Sequence, residues 1–362
     1  MSGRHDGTFQ QRLETAWLSR GAMARLLWPL SLLFRGITLL RRMAYRAGLR
    51  HVASLDVPVL VVGNIIVGGA GKTPTAIACV KRLREAGYQP GIISRGYVPS
   101  AQRQAESGAT QRGEIEVTRS SRAGEVGDEP LLLHLRTGAP VVVGRDRVAA
   151  ARLLLSRHPQ VDVIVSDDGL QHLALPRRAS VLVFDERGVG NGWLLPAGPL
   201  REALPAAIPR QIVLYNAAQP STPLPGFLAR PRLTGAVRLE HWWSGSEPPS
   251  MAPLRALAEL PVHHRRIVAM AGVARPERFF GMLEGLGLRI ERLALPDHHA
   301  FDDSTPPPWP ESTTDLLVTE KDAVKLRPGS TGHVRTWVVA LDFEPEHGFD
   351  AALAAPFPPR PR

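Results

Sequence analysis

Cysteine is almost missing from this chain of 362 residues, the single thiol being Cys79. A disulfide framework is thereby excluded, and a reducing, cytoplasmic address is consistent with such usage. Metal-ligand spacing is missing too: His298 and His299 stand side by side without further His or Cys at distances that suit zinc. No internal repeat is visible. The apolar stretch that ends at Arg35 contains Pro29 and falls short of the roughly 20 apolar residues that a membrane span needs. No small-residue cleavage site of a secretory signal follows it.

What is present is a chain that is 44% hydrophobic, which is globular rather than disordered. Its length accommodates about two domains. The formal net charge is +10, and most of it lies in the first 50 residues, where Arg4, Arg12, Arg20, Arg25, Arg35, Arg41, Arg42, Arg46 and Arg50 face only Asp6 and Glu14. A basic face alone would suggest nucleic acid. Here the arginines are laced through Leu26, Leu27, Trp28, Leu30, Leu32, Leu33, Phe34, Ile37, Leu39 and Leu40. That mixture predicts a helix lying in a membrane interface, with Trp28 and Phe34 in the acyl boundary and arginines on anionic headgroups. The same pattern also suits an amphipathic helix packed on the protein's own core. No nucleic-acid partner is expected.

The chain is organised around Val59 to Cys79, VLVVGNIIVGGAGKTPTAIAC, which reads as strand, glycine loop and helix. Gly68, Gly69, Ala70 and Gly71 allow backbone N–H groups to turn toward phosphate oxygens. Lys72 supplies a mobile charge for the β- and γ-phosphates, and Thr73 offers a hydroxyl to Mg²⁺. Pro74 is tolerated in the first turn, where N–H groups lack intrahelical partners. The common pattern would place glycine five positions before Gly71; Ile66 stands there instead.

A second signal is Val161 to Gly169, an apolar strand ending on Asp167 and Asp168. Adjacent acids there suit Mg²⁺ beside a nucleotide, because buried carboxylates otherwise lack partners. Asp128 and Glu129 precede Pro130 at a helix start, where simple dipole capping is also a sufficient reason for them. From about Ala203 the chain is proline-rich, and it is expected to pass a strand at Ile212–Leu214, then to lose regularity through Pro231 and to pass Ala236–Trp243 as an extended connector. A second α/β series begins at Ile267.

Taken together, these residues resemble the tetraacyldisaccharide 4'-kinase family, the inner-membrane lipid A kinases of Gram-negative bacteria. The resemblance rests on Gly63-Asn64 leading into GGAGKTP, then SRGY, GDEP, SDDGLQH, LLPAGPLRE, AGVARPERFF, PDHHAF and TEKDAVK, in order along nearly the whole chain. It implies a P-loop NTPase-type α/β/α sandwich, a second, smaller α/β domain and an amino-terminal membrane-interface helix. The corresponding domains are 1–50, 51–230 and 231–362. It further implies ATP and Mg²⁺ as cofactors and phosphorylation of the 4'-hydroxyl of a tetraacylated glucosamine disaccharide 1-phosphate. The protein would act as a monomer at the cytoplasmic face of the inner membrane. By the same resemblance Lys72 and Thr73 serve phosphate and metal, Asp167 and Asp168 the metal side, and Arg201 and Glu202 the nucleotide. Asp128 is implied as the base toward the sugar hydroxyl. His298 is its partner, chosen over His299 because it directly follows Pro296-Asp297. The rival reading is a membrane-associated P-loop ATPase that switches conformation. Guanine specificity is disfavoured, since Thr319-Glu320-Lys321-Asp322 puts lysine directly before aspartate.

Overall fold

A computed structural model describes residues 13, 15–96, 113–204, 210–259, 266–297, 299, 301 and 307–359. In chain order the elements run α1 (Ala22–Arg46), β1 (Val59–Gly63), α2 (Lys72–Glu85), β2 (Pro90–Ser94), β3 (Ile115–Val117), α3 (Ala123–Val126) and α4 (Asp128–Thr137). They continue with β4 (Val141–Val143), α5 (Arg147–Arg157), β5 (Val163–Asp167), β6 (Ala179–Asp185), β7 (Gln211–Asn216) and β8 (Phe227–Arg238). The remainder comprises α6 (Leu239–Ser244), α7 (Ala252–Ala258), β9 (Ile267–Ala271), α8 (Pro276–Glu284), β10 (Glu291–Ala294), β11 (Asp315–Thr319), α9 (Glu320–Ala323), β12 (Arg335–Pro345) and α10 (Phe349–Ala354).

The chain forms two compact units. Unit 1 is Met1–Ser94, Asp146–Arg230 and Glu344–Arg362; unit 2 is Arg95–Arg145 and Pro231–Phe343. Neither unit is contiguous. Residues 95–145, expected with the phosphate loop, group with unit 2, and the residues from 344 onward return to unit 1. A contiguous reading misses this because the returning segment is held by contacts remote in sequence: Leu228 O accepts from Glu346 N at 2.8 Å, and Phe227 meets Phe349 edge-on at 5.8 Å.

In unit 1 the strands pair in parallel in the order β7-β6-β1-β5-β2, with β7 also meeting the start of β8. Strands β1, β2, β5 and β6 are buried at every position, as expected of near-continuous apolar runs in a parallel sheet. Parallel pairing brings the carboxyl ends Gly63, Ser94, Asp167, Asp185 and Asn216 to one edge of the sheet, where open α/β sheets bind ligands. Helix α2 buries Ala76, Cys79, Val80 and Leu83. Full burial pushes the Cys79 thiol up to about 12, so it serves as a small apolar core residue.

Unit 2 holds a second parallel run, β10-β9-β11-β12, and the antiparallel pair β3-β4. Its core gathers Leu254, Leu257, Ile267, Ala269, Phe280, Leu283 and Leu317. Two expectations fail in this half of the chain. The last part of the stretch through Pro231, from Phe227, belongs to the twelve-residue strand β8, and Leu239–Ser244 is a helix rather than an extended connector. Proline is tolerated in β8 because Arg230, Pro231 and Arg232 are all exposed, so the missing N–H leaves no buried gap. The helix forms because Leu239, Trp242 and Trp243 bury together, at the 3–4 residue spacing of one helix face.

Helix α1 runs unbroken through Pro29 and Arg35 for 25 residues. By length and composition it is long and apolar enough to cross a membrane, contrary to the reading of its interrupted apolar run. One stripe, Ala24, Leu27, Ser31, Phe34, Thr38 and Arg42, is buried or half-buried. Ser31 Oγ donates to Leu194 O at 2.8 Å and accepts from Ala197 N at 2.9 Å. The opposite stripe exposes Leu26, Leu30, Leu33, Ile37 and Leu40, the last by 67%. Phe34, expected on the lipid side, belongs to the docked stripe.

Candidate active site

The glycine loop begins where β1 ends. Asn64 is fully buried, and its Nδ2 donates to Gly68 O at 3.0 Å, pinning the turn. Gly68 and Gly71 have φ of +95° and +89°, in the left-handed region, and Gly71 is the N-cap of α2. A Cβ at Gly68 would lie 3.0 Å from Arg187 Nη1. Two constraints, backbone sign and close approach, therefore select glycine there. Arg187 donates to Val67 O at 3.2 Å and to Gly69 O at 3.4 Å while Asp185 grips its guanidinium at 2.9 Å. Asn216, at the end of β7, donates to Ala70 O at 3.4 Å. With these carbonyls engaged, the loop is braced through its C=O groups.

Ile66 now has a structural reason. It is buried, forms an antiparallel bridge with Leu200, and is flanked by the bonds Val67 N to Pro199 O at 2.9 Å and Arg201 N to Ile65 O at 2.7 Å. A bridged, buried position rewards a β-branched side chain. The segment LLPAGPLRE thus braces the phosphate loop.

Lys72 Nζ lies 3.4 Å from Asn64 Oδ1 and 3.8 Å from Asp168 Oδ1. Asp168 also faces Arg201 Nη1 at 3.5 Å. Its φ of +51° is a left-handed conformation that a non-glycine residue adopts at an energetic cost. Asp167 is buried at the end of β5 and accepts from Ser94 Oγ at 3.4 Å. Thr73 is buried in the first turn of α2. Glu202 accepts from Gln171 Nε2 at 2.8 Å and pairs with Arg42 of α1. Unit 1 therefore carries Gly68, Gly69, Ala70, Gly71, Lys72, Thr73, Asp167, Asp168, Arg201 and Glu202, with Asp168 facing both Lys72 and Arg201.

Asp128 belongs to unit 2, where it opens α4 behind Gly127. Its Oδ2 lies 3.5 Å from Lys325 Nζ. His298 and Tyr97 lie outside the described residues. Sequence reasoning assigned no role to Arg187, Gln171 or Asn216. The available signal was positional: Asp185-x-Arg187 and Asn216 each end a strand of the sheet that also carries the glycine loop.

Hard oxygen donors suit Mg²⁺, and the Thr73 hydroxyl with the Asp167 and Asp168 carboxylates is such a set. Among the described residues no three His, Cys, Asp or Glu side chains gather as a metal cage. Mg²⁺ asks for none, since it is commonly held by one or two carboxylates together with substrate phosphates.

A glycine loop opening a helix beside a parallel strand that ends in aspartates defines an α/β/α sandwich of the P-loop class. Within that class, the chain belongs to the tetraacyldisaccharide 4'-kinase family: the family model, described as tetraacyldisaccharide-1-P 4'-kinase, matches residues 23–357. It is 51% identical to the tetraacyldisaccharide 4'-kinase of Leptothrix cholodnii, covering 99% of both chains. It is also 51% identical to that of Methylibium petroleiphilum, over 96% of this chain and 94% of the relative. A crystal structure of LpxK from Aquifex aeolicus, described as in complex with ATP, matches with a TM-score of 0.70 at 25% identity. That match covers 92% of this chain and 99% of the other. The protein is accordingly a kinase of lipid A biosynthesis, and the switch ATPase is not favoured.

Proposed function

We propose that unit 1 binds Mg·ATP with the γ-phosphate over Lys72, and that Asp128 takes the proton from the 4'-hydroxyl of a tetraacyldisaccharide 1-phosphate. The observation that carries this reading is the braced loop with Lys72 between Asn64 and Asp168, a lone ammonium at a helix start. Its backbone N–H groups and the Lys72 charge bind the phosphates and stabilise charge on the transferring group. Thr73, Asp167 and Asp168 would hold Mg²⁺, which would supply charge neutralisation for the transferring phosphates. Glu202, fixed by Gln171, borders the nucleotide. In the reaction the hydroxyl O–H bond breaks toward the Asp128 carboxylate, the sugar oxygen bonds to the γ-phosphorus, and the bond to the β-phosphate oxygen breaks to release ADP. His298 is assigned as the partner of Asp128. The experiment is incubation of Mg·ATP with the acylated disaccharide, reading both ATP consumption and the lipid's mass. Lipid-dependent consumption with gain of one phosphate supports the kinase; lipid-independent hydrolysis without a new lipid product refutes it.

The exposed stripe of α1 serves as an interfacial anchor at the cytoplasmic face of the inner membrane, and the protein acts as a monomer. Two observations favour lying in the interface over crossing it. Ser31 and Arg42, three turns apart on one stripe, both bond to unit 1, while leucines line the other side. Arginines beside the surface contribute about 1 kcal/mol each on anionic lipid. Removal of residues 1–45 should therefore abolish partition onto anionic liposomes, measured by co-sedimentation. Unchanged partition would sink the anchor.

A further inference from the structure

The motif TEKDAVK is left without work by the reading above. In unit 2 its Lys325 side chain is only 7% exposed and its ammonium lies between two carboxylates, 3.5 Å from Asp128 Oδ2 and 3.5 Å from Asp322 Oδ1. Asp322 is fully buried and rigidly held: its Oδ2 accepts from Gly272 N at 2.9 Å and from Thr319 Oγ1 at 2.6 Å. A Cβ at Gly272 would come within 2.8 Å of Asp322 Oδ1, so the glycine makes room for this anchor. The lysine is therefore fixed from behind by Asp322 and presents its charge to Asp128. The other lysine of the motif, Lys321, pairs with Asp297 at 2.8 Å.

The choice of residue is itself informative. Lysine occurs only at positions 72, 81, 321 and 325; every other basic charge of the Lys and Arg type is arginine. Arginine's planar fork suits bidentate pairing with a single carboxylate, while lysine is a compact point charge that fits between the oxygens of two. In a chain this rich in arginine, lysine at 325 marks a place where the planar guanidinium does not serve.

We propose that Lys325 is a positioning residue for phosphoryl transfer: anchored on Asp322, it fixes one oxygen of Asp128 and favours the ionised carboxylate that accepts the hydroxyl proton. The inference rests on Asp128 being the base. An opposite charge at this range stabilises the charged form, and a positioned base must be held to a few tenths of an ångström to act in the transition state.

A double-mutant cycle separates the two claims. With full-length protein, kcat and both KM values are measured for wild type, Asp128→Asn, Lys325→Met and the double variant, with phosphorylated lipid detected by mass. Asp128→Asn should lose on the order of 10²–10⁴ in kcat. Lys325→Met should lose on the order of tenfold or more in kcat at unchanged KM for ATP, and the double variant should be no worse than Asp128→Asn alone, the non-additivity expected of groups in contact. Losses that multiply in the double variant would overturn the role of Lys325, as would a loss confined to KM for the lipid, while leaving Asp128 as base. Near-normal turnover of Asp128→Asn would instead remove the base itself. Should Lys325→Met fail to fold, Lys325→Arg keeps the charge with the wrong shape. It should be impaired alone and silent beside Asp128→Asn; impairment in both backgrounds would count against the proposal.

Discussion

Lys72→Ala will lose on the order of 10²–10³ in kcat, the range seen when one preorganised donor to developing charge is removed. The Lys72 side chain is 11% exposed and its ammonium already sits at a helix start between Asn64 and Asp168, so little reorganisation is needed for it to meet a phosphate. Two consequences separate a lost catalytic charge from a damaged fold. The loop remains braced by Arg187, Asn216 and the Ile66–Leu200 bridge, none of which touches Lys72, so the thermal midpoint should move little. Lys72→Arg should rescue poorly, because a planar fork does not replace a point charge in a turn this tight. Measurement of kcat and kcat/KM for ATP at saturating lipid decides the matter. Full turnover by Lys72→Ala would remove the glycine loop from the chemistry.

Asp128→Ala should cost more, on the order of 10²–10⁴ in turnover. A neutral sugar hydroxyl must shed its proton as it attacks phosphorus, and the other carboxylate at Lys325, that of Asp322, is fully buried and already held by Gly272 N and Thr319 Oγ1. Its neighbour supplies the control. Glu129 shares the first turn of α4, and either acid there stabilises the helix dipole by about 0.3–1 kcal/mol. Glu129→Gln should therefore show the small loss of stability without the loss of rate. Equal effects on rate at both positions would reduce Asp128 to a helix cap.

Much of this was legible in the residues. The order strand, glycine loop, Lys-Thr and helix is local, and the strand running into Asp167-Asp168 is equally local, so both survive translation into three dimensions, the second as the shorter strand Val163–Asp167 with Asp168 just past its end. What could not be read was remote. Arg187 contacts the glycine loop from more than a hundred positions away, and no periodicity announces that. Helix α1 looked broken by Pro29 and Arg35, yet it runs continuous through both. Strand β8 was hidden by Pro231, whose exposed setting makes the missing donor harmless. The discontinuity of the units was hidden for the same reason: composition records what a segment can bury, and not which distant segment it buries against.

That discontinuity governs how the protein can come apart and form. Unit 1 is left and rejoined twice, and unit 2 is assembled from two separated stretches. One peptide-bond cleavage between the units therefore releases neither of them whole. Their cores depend on closing loops of many tens of residues, a topology of high contact order that slows folding and lengthens the time that apolar strands stay uncovered. The helix α1, by contrast, is made of local contacts. It can form before the unit it docks on is complete, so the first long element of the chain waits on none of the loop closures that delay the sheets.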